Sequence, residues 1–509
     1  MNVACRLVEI LEKSGITHIF GIPGEQIMPM YDALSESEIT HILTRHEQAA
    51  AHAADGFTRS SEGIGVCMAT AGPGALNLVM GVACAFKDSI PMLVLTGDND
   101  SSKNGVFQSM PLRDIFSNIT YKSYSPLNGT EAVYMLKAAI HELKNNPIGP
   151  VHVNLAKNIL LSEDFEDFDL CYMCENDLSG LDDAKKLISG ADKPLFVLGA
   201  GAISQRDRIL KIADKYRIPI TTTYNARGII SEDNPLNLGL LGVRATPRAK
   251  KAIEKCDCII ALGSIAGERT FPDLREDIFI HVNINKEVLK GKHSIHASVG
   301  DFLDKVEFKK TDFLDELIKI DNAIEVEGIN DEFKPQAAIK RILECFSDDI
   351  IVSDAGSHTT FAMLLYHAKY PNHLLFPAAM APMGYGLPAG IGSAIASGER
   401  VVVINGDGDF QMNLQEMTTL KENNLNVIVF ILNNSEYGII RQWEEQFYDM
   451  DPYQVSLENP DFLKLAASYG IDAVRINTLF DLEYFLEKDL TGPLIVEVNV
   501  DSEDIPLPE

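Results

Sequence analysis

No apolar run in the 509 residues is long enough to span a membrane. The opening stretch, MNVACRLVEILEKSGITHIFGIPG, runs straight into a helical pattern and a strand. It has no basic leader and no cleavage site, so a cytoplasmic location is expected. Basic residues are scarce: 44 Lys and Arg stand against 73 Asp and Glu, for a formal charge of -29. That balance argues against nucleic acid as a partner, because phosphate binding needs clustered cations, and it favours solubility. There are eight cysteines, most of them inside apolar runs such as GVCMATAG. A thiol in such a run behaves as a small hydrophobe. Cys171 and Cys174, with Cys256 and Cys258, could together ligate a metal, but the flanking signatures of zinc sites are missing.

What is present is a repeated alternation. THIFGIPG, GIGVCMATAGPG, IPMLVLTGD and GPVHVNLAK are short, rich in β-branched residues and closed by Gly, Asp or Lys. Helical stretches such as EQAAAHAADGFTRSS lie between them. Strands alternating with helices predict the α/β class, with parallel sheets covered by helices. Two stretches without period, around 161–180 and 325–336, divide the chain into thirds, each the size of one doubly wound domain. The expected domains are 1–165, 181–325 and 335–509. The first and third rhyme loosely, with ATAGPGALN in one and PMGYGLPAGIG in the other.

The third segment carries the sharpest motif. VVVIN runs into GDGDFQMN, LQEMTTLKENN has helical spacing, and NVIVFILNN is a buried strand. A right-handed βαβ crossover puts Asp407 and Asn434 side by side at the carboxyl edge of the sheet, where such folds bind ligands. One carboxylate, one amide oxygen and a backbone carbonyl suit Mg²⁺, which completes its shell with water and phosphate oxygens. Gly406 and Gly408 let the backbone approach an anion, and nearby helix N-termini favour negative charge. The motif reads as a Mg-diphosphate anchor. The alternative is a helix cap at Asp407 and a turn at Asn433-Asn434.

GDGDFQMN…NNSEYG resembles the diphosphate signature of thiamine diphosphate enzymes. FGIPGEQIMPMYDAL, RHEQAAAHAADGFTRS, ATAGPGALNLVMGVACAFKDSIPMLVLTGD, GPVHVNLAKNI, PMGYGLPAGIGSAIA and IIRQWEEQFYD resemble, in order, the acetohydroxyacid (acetolactate) synthase large-subunit pattern. The resemblance covers nearly the whole chain. It implies a catalytic carboxylate at Glu47, bonding the cofactor's pyrimidine ring; a capping or salt-bridging Glu near Arg45 and Arg59 is the other reading. It implies metal ligation by Asp407, Asn434 and the backbone carbonyl of Glu436. Met412 matches the apolar wedge that bends the cofactor, although an ordinary core Met fits the periodicity equally. Gly384, beside Met383, matches the backbone that meets the aminopyrimidine. Ser357 and His358 match residues near the diphosphate, as do Gly406, Gly408, Asp409 and Gly438, although a loop His is often only polar surface. On the substrate side, Phe107 and Gln108 match a pair facing the reactive carbon, Lys157 a basic residue at the channel, and Arg269 an arginine that grips a 2-oxo acid carboxylate. Trp443, the single Trp, matches a pocket-shaping residue, where a lone Trp is more usually core. A homodimer or homotetramer is implied, with Glu47 lent by one subunit to the cofactor on another, and a regulatory small subunit is open.

Five departures stand against this pattern. Glu25-Gln26 replace small residues. GAGAIS, 199–204, lacks its third glycine. SIAGER keeps only Arg269 of the run found in flavin-holding members, and HVNIN has Asn283 and Asn285 where acids are usual, so FAD is left open. The closing tail is expected to be short. The reading is thiamine diphosphate- and Mg²⁺-dependent carboligation of 2-oxo acids, from pyruvate to 2-acetolactate. The rivals are a 2-oxo acid decarboxylase, a carboligase with another acceptor, and a silent binding protein. No paired-histidine motif marks the simple decarboxylase type, and an intact Glu47 and anchor argue against silence.

Overall fold

The computed structural model describes residues 1–100, 107–167 and 177–507. Three six-stranded sheets account for the strands. The first holds β1 (His18–Gly21), β2 (Thr40–Leu43), β3 (Gly65–Ala69), β4 (Met92–Asp98), β5 (Lys122–Tyr124) and β6 (Val151–Ala156), ordered β2-β1-β3-β4-β6-β5. The second holds β7 (Pro194–Leu198), β8 (Ile220–Thr222), β9 (Asn237–Leu240), β10 (Cys258–Leu262), β11 (Phe279–Asn283) and β12 (His293–His296), ordered β12-β11-β10-β7-β8-β9. The third holds β13 (Ile350–Ser353), β14 (Leu374–Leu375), β15 (Val401–Gly406), β16 (Val427–Asn433), β17 (Asp472–Ile476) and β18 (Leu494–Asn499), ordered β14-β13-β15-β16-β18-β17. Numbered within each sheet, the first and third share one strand order, whereas the second has the dinucleotide-fold order.

The central strands are buried on both faces, which is why VVVIN and VIVFIL read as unbroken apolar runs rather than alternating ones. β15 and β16 pair in parallel from Val401↔Val427 to Gly406↔Leu432, so their tips are neighbours. The crossover between them is in pieces: a short helix at Asp407–Phe410, a 3₁₀ turn at Leu414–Glu416, and a helix at Met417–Glu422.

Two compact units result. One gathers the first and third sheets (1–172, 329–362 and 375–504); the other centres on the second sheet (173–328, 363–374 and 505–509). Within the first unit, helix α1 (Glu47–Arg59) packs on α2 (Gly386–Ser397). The contact needs glycine. A Cβ at Gly56 would lie 2.1 Å from Ala389 O, and one at Gly392 would lie 1.8 Å from Ala53 O. A buried polar cluster completes the seam: Tyr385 Oη donates to Asp55 at 2.7 Å, and Arg59 bridges Asp55 and Asp88 at 2.6 and 2.8 Å. Among the described residues, no helix is long and apolar enough to cross a membrane.

Candidate active site

The third sheet gathers one group of polar side chains at its carboxyl edge. Asp407 follows the tip of β15 and is buried. Its Oδ1 accepts from Gly408 N at 3.0 Å, and its Oδ2 accepts from Ser435 N at 2.7 Å and Asn459 Nδ2 at 2.6 Å. Burial raises its pKa against the pull of those donors. Asn434 follows β16. Its Oδ1 accepts from Glu436 N at 3.2 Å, so the chain curls around the amide, with Ser435 at φ +56°. Gly438 opens the helix α3 (Gly438–Phe447); a Cβ there would stand 3.3 Å from Asn434 Nδ2 and 3.7 Å from Ser357 Oγ. Asp407, Asn434, Glu436, Gly438 and Ser357 therefore belong to one corner.

His358 and Asp409 lie beside that corner. His358 Nδ1 is 3.3 Å from where a Gly406 Cβ would be. His358 Nε2 and Asp409 Oδ2 are 3.3 Å apart but too poorly aligned to bond. Both atoms are buried without a partner, as are Ser357 Oγ and Asn405 Oδ1. Burial pushes the imidazole down to about 3, so the ring is neutral and offers a donor without charge. Burial, then the neighbouring Asp354, holds the Asp409 carboxyl well above its ordinary value. Four unsatisfied buried polar atoms in one place ask for a polar occupant. Hydroxyl and imidazole donors fit phosphate oxygens, and a carboxylate, an amide oxygen and a carbonyl fit a hard divalent cation.

Three of the bland alternatives fail here. His358 is a buried residue on the helix Ser357–Leu365, not polar surface. Met412 is no core Met: it sits in a turn beyond Asp407–Phe410 and is 48% exposed, its Cβ 2.9 Å from where a Gly384 Cβ would be. Trp443 is 42% exposed and shares one face of α3 with exposed Ile440 and Phe447, so it is not core either. Met383 is half-buried beside Gly384.

The carboxyl edge of the first sheet gathers a second group. Glu47 is the first residue of α1, behind the cap His46, whose Nδ1 accepts from Gln48 N. The reading of Glu47 as an ion-pair partner fails. Arg45 pairs with Glu422 and Arg59 with Asp55 and Asp88, while Glu47 Oε2 accepts from Asn77 Nδ2 at 2.9 Å. Gly74 faces it closely, with Oε1 3.2 Å from the Cβ position. Gln108 packs over Gly72, and Phe107 beside it is 80% exposed. Lys157 forms an ion pair with Glu25 at 3.0 Å, so a basic residue and a departure from the family pattern prove to be partners. Among the described residues, no hydrogen bond or ion pair joins Glu47 to Asp407, Asn434, Ser357 or His358 of the same chain.

Arg269 lies in the other unit, on the loop after β10, with its guanidinium 5.9 Å from the Tyr224 ring. Cys171 and Cys174 lie outside the described residues, and Cys256 and Cys258 are free and buried.

Sequence reasoning passed over several residues. Asn459 ties Asp407 to Asn433, donating at 2.6 and 2.9 Å. Asn77 donates to Glu47. Asp354, Asn405 and Asn413 form a buried network under Gly384. Asn405 and Asn413 lie within VVVINGDGDFQMN and Asn77 closes ATAGPGALN, yet none of the three was given a role.

Residues 1–119 match the N-terminal TPP binding domain of thiamine pyrophosphate enzymes, 181–306 the central domain, and 354–498 the C-terminal TPP binding domain. A probable acetolactate synthase large subunit of Methanocaldococcus jannaschii is 33% identical over 100% of this chain and 93% of its own length. The acetolactate synthase large subunit of Pyropia yezoensis is 35% identical over 98% and 91%. Acetolactate synthase isozyme 1 large subunit of Escherichia coli is 31% identical over 98% and 94%.

Proposed function

Because the chain belongs to the acetolactate synthase large-subunit family of thiamine pyrophosphate enzymes, we propose that it joins two pyruvates into 2-acetolactate with loss of CO₂, using thiamine diphosphate and Mg²⁺. The observation that carries this reading is the set of unsatisfied buried atoms of Ser357, His358, Asn405 and Asp409 beside Asp407 and Asn434. Bound thiamine diphosphate supplies the carbon nucleophile and the electron sink. Asp407, Asn434 and the Glu436 carbonyl would hold Mg²⁺. Ser357 and His358 would donate to diphosphate oxygens, with Gly406 and Gly438 leaving room for them; Gly408 instead faces the Tyr437 ring, 2.5 Å from where a Gly408 Cβ would be. Met412 and Met383 would flank the ring, and Glu47 would hold a proton at a ring nitrogen. Phe107 and Gln108 would face the substrate, Trp443 would wall the acceptor side, and Arg269 would fork onto a carboxylate. A homodimer in which Glu47 serves the partner's cradle accords with the family resemblance, and a regulatory small subunit fits the large-subunit names of the relatives.

The flavin fits less well. At the tip of β11, Asn283 donates to Ser264 O at 2.7 Å and accepts from Asn285 N at 2.8 Å, so ribose hydroxyls meet no carboxylate there. Purified protein given pyruvate, thiamine diphosphate and Mg²⁺ should yield acetolactate and should be colourless. Acetaldehyde as the sole product would overturn the carboligase reading, and stoichiometric flavin bands would overturn the flavin-free one.

Lys157 bears on substrate affinity. Its partner Glu25 is largely exposed, and such pairs are worth about 0–1 kcal/mol, so an incoming carboxylate can displace it. Glu25→Gln is expected to lower KM for pyruvate by about two- to fivefold with kcat little changed. An unaltered KM in steady-state kinetics would remove Lys157 from the substrate's path.

A further inference from the structure

Strands β4 and β6 pair in parallel in the first sheet, with Thr96 opposite Asn154. Their alternate residues Leu93, Leu95, Val151, Val153 and Leu155 face an apolar core. The other face carries Thr96, His152 and Asn154, and all three are buried. Polar side chains at that depth must satisfy one another. They form one line. His152 Nδ1 is 2.8 Å from Ser123 Oγ, and its Nε2 is 2.7 Å from Thr96 Oγ1. Thr96 Oγ1 donates to Asn154 Oδ1 at 2.8 Å, and Asn154 Nδ2 donates to Asp98 Oδ2 at 2.6 Å.

The carboxylate sets the direction of every bond. It only accepts, so Asn154 turns its NH₂ to Asp98 and its oxygen to Thr96. Thr96 has one hydroxyl proton and gives it to that oxygen. His152 must then donate from Nε2 and accept from Ser123 at Nδ1. Burial pushes the imidazole down to about 3, so the ring is neutral and holds one tautomer. Beyond the strand, Asp98 Oδ1 accepts from Asn99 N at 2.7 Å, and Asn99 Nδ2 donates to the Phe107 carbonyl at 3.0 Å. Phe107 is 80% exposed, so packing does not place its ring. Gln108 stands at φ +64°, a region that few residues other than glycine adopt unless they are held.

We propose that Asp98 and Asn99 are positioning residues for Phe107 and Gln108, and that the buried line through His152, Thr96 and Asn154 holds Asp98 in place. A ring open to solvent is thus set by its backbone, and that backbone by polar groups inside the sheet. This inference rests on the proposed function, in which Phe107 and Gln108 face the substrate.

The test uses the full-length protein, with the folding of each variant checked by thermal melting. Asn99→Ala and Asp98→Ala should each lower kcat/KM for pyruvate about tenfold, as expected for losing one hydrogen bond that places the pair, with thiamine diphosphate affinity changed less than about threefold. Asp98→Asn keeps an acceptor for Asn99 N and should restore most of that loss. Asn99→Ala added to Phe107→Ala should cost less than about twofold more, because the ring it places is gone. Wild-type kinetics in Asn99→Ala, or fully additive losses in the double variant, would overturn the positioning role. Asp98→Asn should also reverse the line: its NH₂ meets Asn154, whose amide turns over, and the imidazole proton moves from Nε2 to Nδ1. Nitrogen NMR of labelled histidine reads the tautomer of His152 directly, and a tautomer that stays at Nε2 would overturn the buried hold on Asp98. A wild-type protein that turns over no 2-oxo acid would overturn the functional reading, whatever the tautomer shows.

Discussion

Glu47→Gln is expected to lower kcat by about 10²- to 10⁴-fold, the range that a positioned proton-transfer group supplies. The substitution is gentle structurally. Glutamine keeps the size of the side chain, can still accept from Asn77 Nδ2, and leaves the capping contact of His46 untouched. What it loses is the ability to hold and return a proton. It also loses the charge that the N-terminus of α1 favours, worth about 0.3–1 kcal/mol, so melting should shift only slightly. A kcat within threefold of wild type would remove Glu47 from the chemistry.

Asp407→Ala should fail differently. Loss of outer-shell partners alone costs a metal site about 10- to 100-fold in affinity. Removing the sole carboxylate of the proposed set should therefore exceed about 100-fold for Mg²⁺ and carry thiamine diphosphate away with it. Calorimetric titration with Mg²⁺ and cofactor reads this directly, and undiminished binding would refute the anchor. The two variants can also be mixed. If Glu47 serves the partner's cradle, a Glu47→Gln subunit paired with an Asp407→Ala subunit rebuilds one intact site. Random exchange between the variants should then restore about a quarter of wild-type activity. Mixtures that stay inactive despite subunit exchange would place both residues in the same chain's site.

The fold was legible where burial is uniform. β15 and β16 are two-sided core strands, so their apolar runs and closing Gly-Asp-Gly and Asn-Asn announced neighbouring tips. The looseness of the crossover was not visible, because LQEMTTLKENN has helical spacing throughout while the helix begins only at Met417. Contacts across long stretches of chain were also hidden. Asn459 reaches Asp407 over 52 residues, and Lys157 reaches Glu25 over 132. Neither pairing leaves a local pattern. His358 reads as a residue near the diphosphate, with polar surface as the other reading because DAGSHTT, 354–360, is polar; that loop feeds a helix that buries the ring. A few flanking polar residues say little about depth when a switch point of the sheet lies beneath them.

The seam between α1 and α2 has a consequence for variation in this protein. Backbone touches backbone at Gly56 and Gly392, so there are no side chains there to trim or enlarge by degrees. Drift along that line is all-or-nothing. Changes in substrate preference have more room in the segments beyond the strand tips, where Glu25 is largely exposed.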